Sequence, residues 1–134
     1  MINLSNGSPA APNGGTNVLW QQDASGDVSA YVAIVKQIIT PSSGTLAIDV
    51  SQGSSVFVNV NQALTSVSII NPADGQEITL MWQQDATGHA VTLPTNLLGA
   101  TAVSATASKK TCQKFSYNAA DNNWVATGVG VAGM

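Results

Sequence analysis

The sequence predicts an all-β protein: an antiparallel β-sandwich or jelly-roll-like domain with an extended N-terminal arm. Two observations lead to this prediction. A seven-residue tract occurs twice, at residues 20–26 and 82–88, and short stretches of alternating apolar and polar residues are separated by turn residues from residue 45 onward. Short strands at turn-bounded intervals are typical of antiparallel sandwiches and barrels. A chain of 134 residues is long enough for one such domain with a buried core.

The repeated tract is Trp-Gln-Gln-Asp-Ala-Ser-Gly in its first copy and Trp-Gln-Gln-Asp-Ala-Thr-Gly in its second. Each copy follows β-forming residues and ends in turn chemistry, because Asp caps its own backbone and Gly accepts a positive φ. Two copies are too few for a solenoid, in which at least three units usually stack. We therefore predict one strand-then-turn unit used twice, with structural turn residues at Asp23, Gly26, Asp85 and Gly88.

Residues 1–16 contain two Pro and three Gly and have no hydrophobic periodicity, which predicts an extended arm. The arm has too little apolar surface to offset the entropy of ordering by itself. We expect it to anchor the protein against a neighbour through Ile2, Leu4, Pro9 and Pro12. The predicted organisation is thus an arm over residues 1–16 and a β-sandwich domain over residues 17–134.

The elements of the domain follow in order. Residues 28–39 combine helical spacing with many β-branched residues, and we favour a strand. After a break at residues 40–44, apolar residues alternate along each predicted strand, and residues 71–75 form a turn with a preset Pro. Residues 95–109 are an Ala/Thr/Ser-rich loop. The alternating apolar positions are Leu46, Ile48, Val50, Val56, Val58, Val60, Val67, Ile69, Ile78, Leu80, Trp82, Val91, Leu93, Phe115 and Tyr117.

The composition points to a surface that is covered in an assembly. Charged residues make up only 8% of the chain, about a third of the ~25% that is usual in soluble domains. A monomer normally needs more charge than this to stay soluble. We expect self-association, most simply as a closed homotrimer; the alternative is a neutral-surfaced secreted domain.

The charge balance excludes several partners. The net charge is −3, and the only cations are Lys36, Lys109, Lys110 and Lys114. Nucleic-acid binding requires a basic footprint, and anionic membranes attract basic segments. The longest apolar run, residues 30–35, is too short to span a membrane. The first residues lack the basic and apolar regions of a signal peptide. We expect neither nucleic acid nor membrane as a partner.

Reaction chemistry is not predicted. The single His89 follows a turn and is expected to be an exposed turn residue, since a catalytic or metal-binding histidine needs partners. The single Cys112 is expected to be a small, semi-buried strand residue. One His and one Cys are too few for a zinc site, and residues 23–27 lack the ligand spacing of a calcium loop. We predict no catalytic residue, no metal, no cofactor and no enzyme activity.

The aromatic residues allow two interpretations. Trp20, Trp82 and Trp124 all fall on predicted strands, so we expect them in the core with the indole N–H satisfied. The alternative is an aromatic platform that contacts a glycan. Asp23 and Asp85 are spaced far apart in sequence but share the same turn context, which favours local hydrogen bonding over a pair of hydrolytic carboxylates.

Residues 55–128 resemble a β-module that is common in virion proteins of tailed bacteriophages. The resemblance rests on six motifs, Val56–Val60, Asn71–Gln76, Ile78–Gly88, Val91–Pro94, Phe115–Tyr117 and Asp121–Trp124. Residues 17–32 are also similar to an entry segment of short phage structural proteins. The chain departs from the module at His89 and Ala90, where a Gly and a basic residue are more usual. Such modules are found in tail fibres and small head-associated proteins, usually as trimers, and have no catalytic residues.

The resemblance implies a phage virion structural protein. An arm suited to binding across a shell, without a long stalk, leads us to expect a capsid decoration (cement) protein on the capsid surface. Its partners would be its own copies and the major capsid protein or other virion proteins. The alternative is a tail-fibre or receptor-binding tip protein that recognises a host surface glycan. A glycan-active enzyme is a third class, which no residue pattern supports.

Overall fold

The structure, a computed structural model, describes residues 18–22, 25, 28–32 and 35–134. Every regular element within these residues is a β-strand, which confirms the all-β prediction. The predicted arm with Ile2, Leu4, Pro9 and Pro12, and the turn residues Asp23 and Gly26, lie outside the described residues. The strands are β1 Val18–Gln22, β2 Val28–Val32, β3 Lys36–Ile39, β4 Thr45–Asp49, β5 Ser55–Val60, β6 Ser66–Ile70, β7 Glu77–Gln84, β8 Leu97–Leu98, β9 Lys110–Asn118, β10 Asn123–Ala126 and β11 Val131–Ala132.

The strands from β3 onward form a main sheet and a smaller second sheet. The main sheet has the order β3-β5-β7-β9-β10-β8, with β11 also paired to β9, and the second sheet is β4-β6. From β3 to β7 the chain passes alternately from one sheet to the other, so that β3, β5 and β7 are parallel neighbours and β4 and β6 are another parallel pair. Strand β9 pairs antiparallel with β7, β10 and β11.

The prediction of antiparallel pairing is therefore wrong for part of the sandwich. The ladders β3–β5–β7, β4–β6 and β8–β10 are parallel. A half-buried strand has the same apolar alternation in either kind of ladder. The turn residues show where a strand ends, but they do not determine whether the next strand returns to the same sheet or crosses to the other.

The inward faces of both sheets meet in one core. Strands β5 and β7 alternate strictly, with Val56, Val58 and Val60 buried on one and Ile78, Leu80 and Trp82 on the other. Each such side chain contributes roughly 1.5–3 kcal/mol when it is fully buried. The remaining buried apolar residues are Leu46, Ile48, Val50, Leu64, Val67, Leu97, Phe115 and Trp124, with Ile69, Val91, Leu93 and Tyr117 partly buried against them.

Two predicted elements differ in detail. The strand predicted over residues 28–39 consists of β2 and β3, with residues 33–35 between them. The predicted loop 95–109 contains the short strand β8, whose Leu97 and Leu98 pair in parallel with Trp124 and Val125. Leu97 is buried in the core, so an apolar pair within a polar loop is the sequence feature that marks this extra strand.

The two copies of the repeated tract share a strand end but not a continuation. Strand β1 ends at Gln22 and β7 at Gln84, the second Gln of the tract in both copies. After Gln22 the chain turns back as a hairpin, in which Gln22 pairs with Val28. After Gln84 it leaves the main sheet, and its next pairing is a parallel bridge between Val91 and Leu64.

Candidate functional site

The turn after β7 brings the only histidine of the chain to a carboxylate. His89 Nε2 lies 3.1 Å from Asp85 Oδ2. The other carboxylate oxygen, Asp85 Oδ1, accepts hydrogen bonds from the backbone N–H of Thr87 at 2.8 Å and of Gly88 at 3.0 Å. The Gly88 N–H, followed by the Thr87 N–H, lowers the pKa of Asp85, and His89 lowers it further. Asp85 thus closes the turn by local hydrogen bonding, in the way that Asp favours turns.

His89 is not the exposed turn residue that the sequence predicted. Its side chain is 21% exposed and that of Asp85 38%, because the imidazole folds back over the turn onto the carboxylate. An Asp–His pair performs general base catalysis only when a nucleophile or substrate proton lies within hydrogen-bond reach. Within residues 35–134 and the described strands before them, no three His, Cys, Asp or Glu side chains are grouped to hold a metal ion.

Gly88 allows this turn to pack tightly. Its φ is +81°, the positive value predicted from the turn chemistry, and an added Cβ would lie 2.2 Å from the carbonyl oxygen of Ala105 and 2.8 Å from the backbone nitrogen of Ala107. The Ser108 N–H also donates to the Asp85 carbonyl oxygen at 2.7 Å. The turn is therefore held against residues 105–108 by backbone contacts that leave no room for a side chain.

Gln84 is the polar residue that holds the segment after β7 to the sheet. It is buried, on the same face of β7 as Trp82. Its Nε2 donates to the carbonyl oxygens of His89 at 2.8 Å and Ser104 at 2.7 Å, while its Oε1 accepts from the His89 N–H at 2.8 Å. One carboxamide thus satisfies three backbone groups, two of His89 and one of Ser104, which lie outside the strand ladders.

Strand β9 provides two further buried polar residues of this kind. Thr111 Oγ1 accepts from the Ser104 N–H at 3.0 Å. Gln113 Oε1 accepts from the Thr101 N–H at 2.7 Å, and its Nε2 donates to the Gly99 and Gly128 carbonyl oxygens, both at 3.0 Å. These bonds hold the Ala/Thr/Ser-rich loop and the link between β10 and β11 onto the core.

Glutamine side chains also donate hydrogen bonds where the chain crosses between the sheets. The Nε2 of Gln37 donates to the carbonyl oxygens of Asp49 and Gly53. Gln76 Nε2 donates to the Val50 carbonyl oxygen and the Ser54 hydroxyl, and Gln62 Nε2 to the Pro41 carbonyl oxygen. Some of the many amide side chains thus bind backbone groups inside the domain, in addition to any role at the surface.

The structural roles of Gln84, Thr111 and Gln113 were not predicted, although the sequence contains a signal for them. The alternation Ile78, Leu80, Trp82 continues to Gln84, and the inward positions of β9 are Thr111, Gln113 and Phe115. A polar residue at an inward position of a strand needs internal partners. The partners of Gln84, Thr111 and Gln113 lie up to 20 residues away and depend on the topology.

The tryptophans of the described core differ from the expectation in one respect. Trp82 and Trp124 are buried as predicted, but the Trp124 indole N–H is buried without a hydrogen-bond partner. The Trp124 ring packs on Tyr117 with centroids 4.9 Å apart and an angle of 46°, and the Tyr117 hydroxyl donates to Asn122 Oδ1 at 2.8 Å. Neither tryptophan is exposed to stack on a sugar.

The outer face of the main sheet has a continuous apolar row. Strand register aligns Ile38 with Phe57, Phe57 with Met81, Met81 with Cys112 and Cys112 with Val131. We call these five residues the apolar row. Ile38 and Val131, at its two ends, are 65% and 51% exposed, and Cys112 is a free, partly buried thiol as predicted. The Lys36 ammonium lies 4.9 Å from the centroid of the Phe57 ring.

In the part of the chain that the structure describes, no helix is long and apolar enough to cross a membrane. No protein-family model matches the chain, and the search of curated proteins finds no match.

Proposed function

We propose that this chain is a structural protein of a tailed-bacteriophage virion, and specifically a capsid decoration protein that binds and stabilises the head shell as a homotrimer. The observation that carries the proposal is the resemblance of residues 55–128 to the phage β-module. The motifs behind that resemblance fall on β5, β7, β9 and β10, on the turns before β7 and β10, and on the segment between β7 and β8, where Val91 bridges to Leu64. They therefore belong to one packed unit and are not scattered over unrelated parts of the chain.

The described surface supports a role in an assembly. Several large apolar side chains are exposed: Ile38, Ile70, Leu98, Val125, Val129, Val131 and Met134. Leu98 and Val125 are direct neighbours in the β8–β10 ladder, and the chain has few charges to separate such residues. Exposed apolar groups that are contiguous mark interaction sites. Symmetric closure of several copies, together with contact to the shell, would cover them.

The N-terminal arm fits attachment to a shell. Ordering each residue costs roughly 1–2 kcal/mol, so residues 1–16 gain from ordering only where they make extensive contacts. The major capsid protein offers the same contact surface at every lattice position. Ile2, Leu4 and the segment Pro9–Pro12 are the parts of the arm with apolar surface to bury.

The burial of Trp82 and Trp124 weighs against the tail-tip alternative. A glycan-binding tip would need exposed aromatic faces for stacking on sugar rings. Trp82 and Trp124 are instead used in the core, which favours the head over a glycan-binding tail position.

The arm can be tested by mixing undecorated capsids with a chain that begins at Asn17 and measuring occupancy by cryo-microscopy or pelleting. We expect the intact chain to bind and the shortened chain not to bind, because the shortened chain lacks the apolar residues that reach the neighbour. Circular dichroism and native mass spectrometry would establish that the shortened chain is folded and keeps its oligomeric state.

A matched pair of full-length variants sharpens this test. Leu4→Asp should weaken binding strongly, and Asn6→Asp, which adds the same charge without removing apolar surface, should weaken it much less. Full occupancy by the shortened chain would refute the anchoring role of the arm. Failure of the intact chain to bind any capsid would contradict the decoration function itself.

A further inference from the structure

The exposed apolar side chains and the lysines are concentrated on the outer face of the main sheet. Within residues 35–134, four of the seven large apolar side chains that are exposed lie on this face: Ile38, Leu98, Val125 and Val131. The alternation of β3 and β9 places three of the four lysines there as well: Lys36, Lys110 and Lys114. The outer face is therefore basic and apolar, although the chain as a whole is acidic.

Acidic residues are concentrated at one end of the domain. Strand β7 begins at Glu77, and the turn before it contains Asp74, whose Oδ1 accepts the Ala119 N–H at 3.0 Å. Ala119 belongs to the turn between β9 and β10, which also contains Asp121. One hydrogen bond thus brings two acidic turns together at the start of β7.

The end of the second sheet adjoins these turns. The last pair of the β4–β6 ladder is Asp49 and Ile70, and Gln76, directly before β7, donates from its Nε2 to the Val50 carbonyl oxygen at 2.9 Å. Ile70 is exposed. We call Asp49, Ile70, Asp74, Glu77 and Asp121 the acidic end. It contains four of the five acidic residues within residues 35–134, together with an exposed apolar side chain.

The outer face and the acidic end complement each other, and neither complements itself. An isologous contact puts a patch against the same patch of a second copy. For the outer face this contact would bring the lysines of both copies together, and for the acidic end it would bring carboxylates together. Like charges that face each other across an interface are strongly unfavourable. The outer face against the acidic end instead pairs lysines with carboxylates.

We propose that copies of this chain associate head to tail, with the acidic end of one copy seated on the outer face of the next. Ile70 packs on the apolar row, and the carboxylates around it lie beside the lysines that flank the row, since Lys110 and Lys114 stand two residues to either side of Cys112 on β9. Such heterologous contacts form a ring when the rotation between copies closes. The inference names the surfaces of the homotrimer and so rests on that part of the proposed function, but it does not depend on a location in a virion.

The oligomeric state of two full-length variants tests this arrangement. The face variant, Lys36→Glu with Lys114→Glu, reverses two charges of the outer face. The end variant, Ile70→Lys with Asp121→Asn, makes the acidic end less acidic and keeps an oxygen acceptor for the Asn123 N–H. We expect each variant to require at least about tenfold more protein for association than the unchanged chain, because a heterologous contact is broken from either side. Sedimentation velocity measures the difference.

A mixture of the two variants gives the most specific result. The face variant keeps an intact acidic end, and the end variant keeps an intact outer face. The equimolar mixture should therefore form a 1:1 heterodimer at concentrations at which each variant alone is monomeric, and native mass spectrometry identifies this species by its mass. Raising the salt concentration from about 0.05 M to about 0.5 M should weaken association of the unchanged chain, because salt screens exposed charges.

Lys109→Glu and Ser66→Lys are the matched controls. Lys109 precedes β9 at a position that alternates with the outward Lys110, and Ser66 begins β6, four residues before Ile70. The two controls make the same charge changes as Lys114→Glu and Ile70→Lys, but outside both surfaces. They should leave association unchanged, and thermal unfolding followed by circular dichroism would establish that every variant is folded.

Several outcomes would overturn the proposal. Unchanged association of the end variant would mean that the outer face meets itself or another part of the second copy, and unchanged association of the face variant would mean that this face is not used. Absence of the heterodimer from the mixture would contradict the head-to-tail contact. A monomer throughout the micromolar range would mean that a different molecule covers the outer face. No capsid is present in these measurements, so capsid binding by a monomeric chain would remove this inference and the homotrimer but leave the virion function intact.

Discussion

Replacing Gly88 with Ala is expected to lower the free energy of unfolding by about 3 kcal/mol or more. Two costs add at this position. The φ of +81° is strained for any residue with a Cβ, and the new Cβ would lie 2.2 Å from the Ala105 carbonyl oxygen. That atom belongs to the backbone, so relief requires residues 105–107 to move away from the turn. Chemical unfolding would measure the loss as a lower midpoint at an unchanged slope.

Gly75 is the matched control for this substitution. Its φ is +75°, close to that of Gly88, but an added Cβ has no atom within 4 Å. Gly75→Ala therefore includes only the backbone cost, roughly 1 kcal/mol. Equal losses for the two variants would mean that the turn does not pack against residues 105–107 as described.

The second large effect is expected for Gln84→Ala. This change leaves the His89 and Ser104 carbonyl oxygens and the His89 N–H without their partner, in a buried position. Each buried group that loses its hydrogen bond costs about 1–3 kcal/mol, and the missing side chain also leaves a cavity. We expect a total loss of about 3 kcal/mol or more, together with faster hydrogen exchange at the His89 amide.

The variant His89→Ala distinguishes the stabilising contribution of the Gln84 carboxamide from that of the His89 imidazole. The variant keeps the backbone N–H and carbonyl oxygen that bind Gln84 and removes only the contact with Asp85. That contact is between partly exposed groups, and solvent screening leaves such pairs with little effect on stability. A loss for His89→Ala as large as that for Gln84→Ala would show that the imidazole, and not Gln84, holds this segment.

The parts of the fold that depend on local pattern could be predicted from the sequence. The inward faces of β5 and β7 follow from strict alternation, and the positive φ of Gly88 follows from its place after Asp85 in a turn. The parallel ladders could not be predicted, because β3, β5 and β7 become neighbours only through two crossings to the second sheet. Local turn chemistry does not determine which sheet the next strand joins.

In the candidate site too, the local contacts were more predictable than the contacts between distant segments. Asp85 was predicted as a turn residue, and its contacts with Thr87 and Gly88 lie within three residues. The contact of His89 with Asp85 is equally local but depends on a side-chain rotamer that the sequence does not specify. The bonds from Gln113 to Thr101 and Gly128 join segments 12 and 15 residues away. Its inward position in β9 was a usable signal, although the partners were not predictable.

The most direct test of the proposed function is the number of copies of this chain in purified phage particles, measured by quantitative mass spectrometry against the major capsid protein. A decoration protein occupies equivalent positions over the whole shell, so symmetry predicts on the order of hundreds of copies per particle. A count of roughly a dozen or fewer would place the chain in the tail and contradict the decoration role. Its absence from the particles would contradict the virion function altogether.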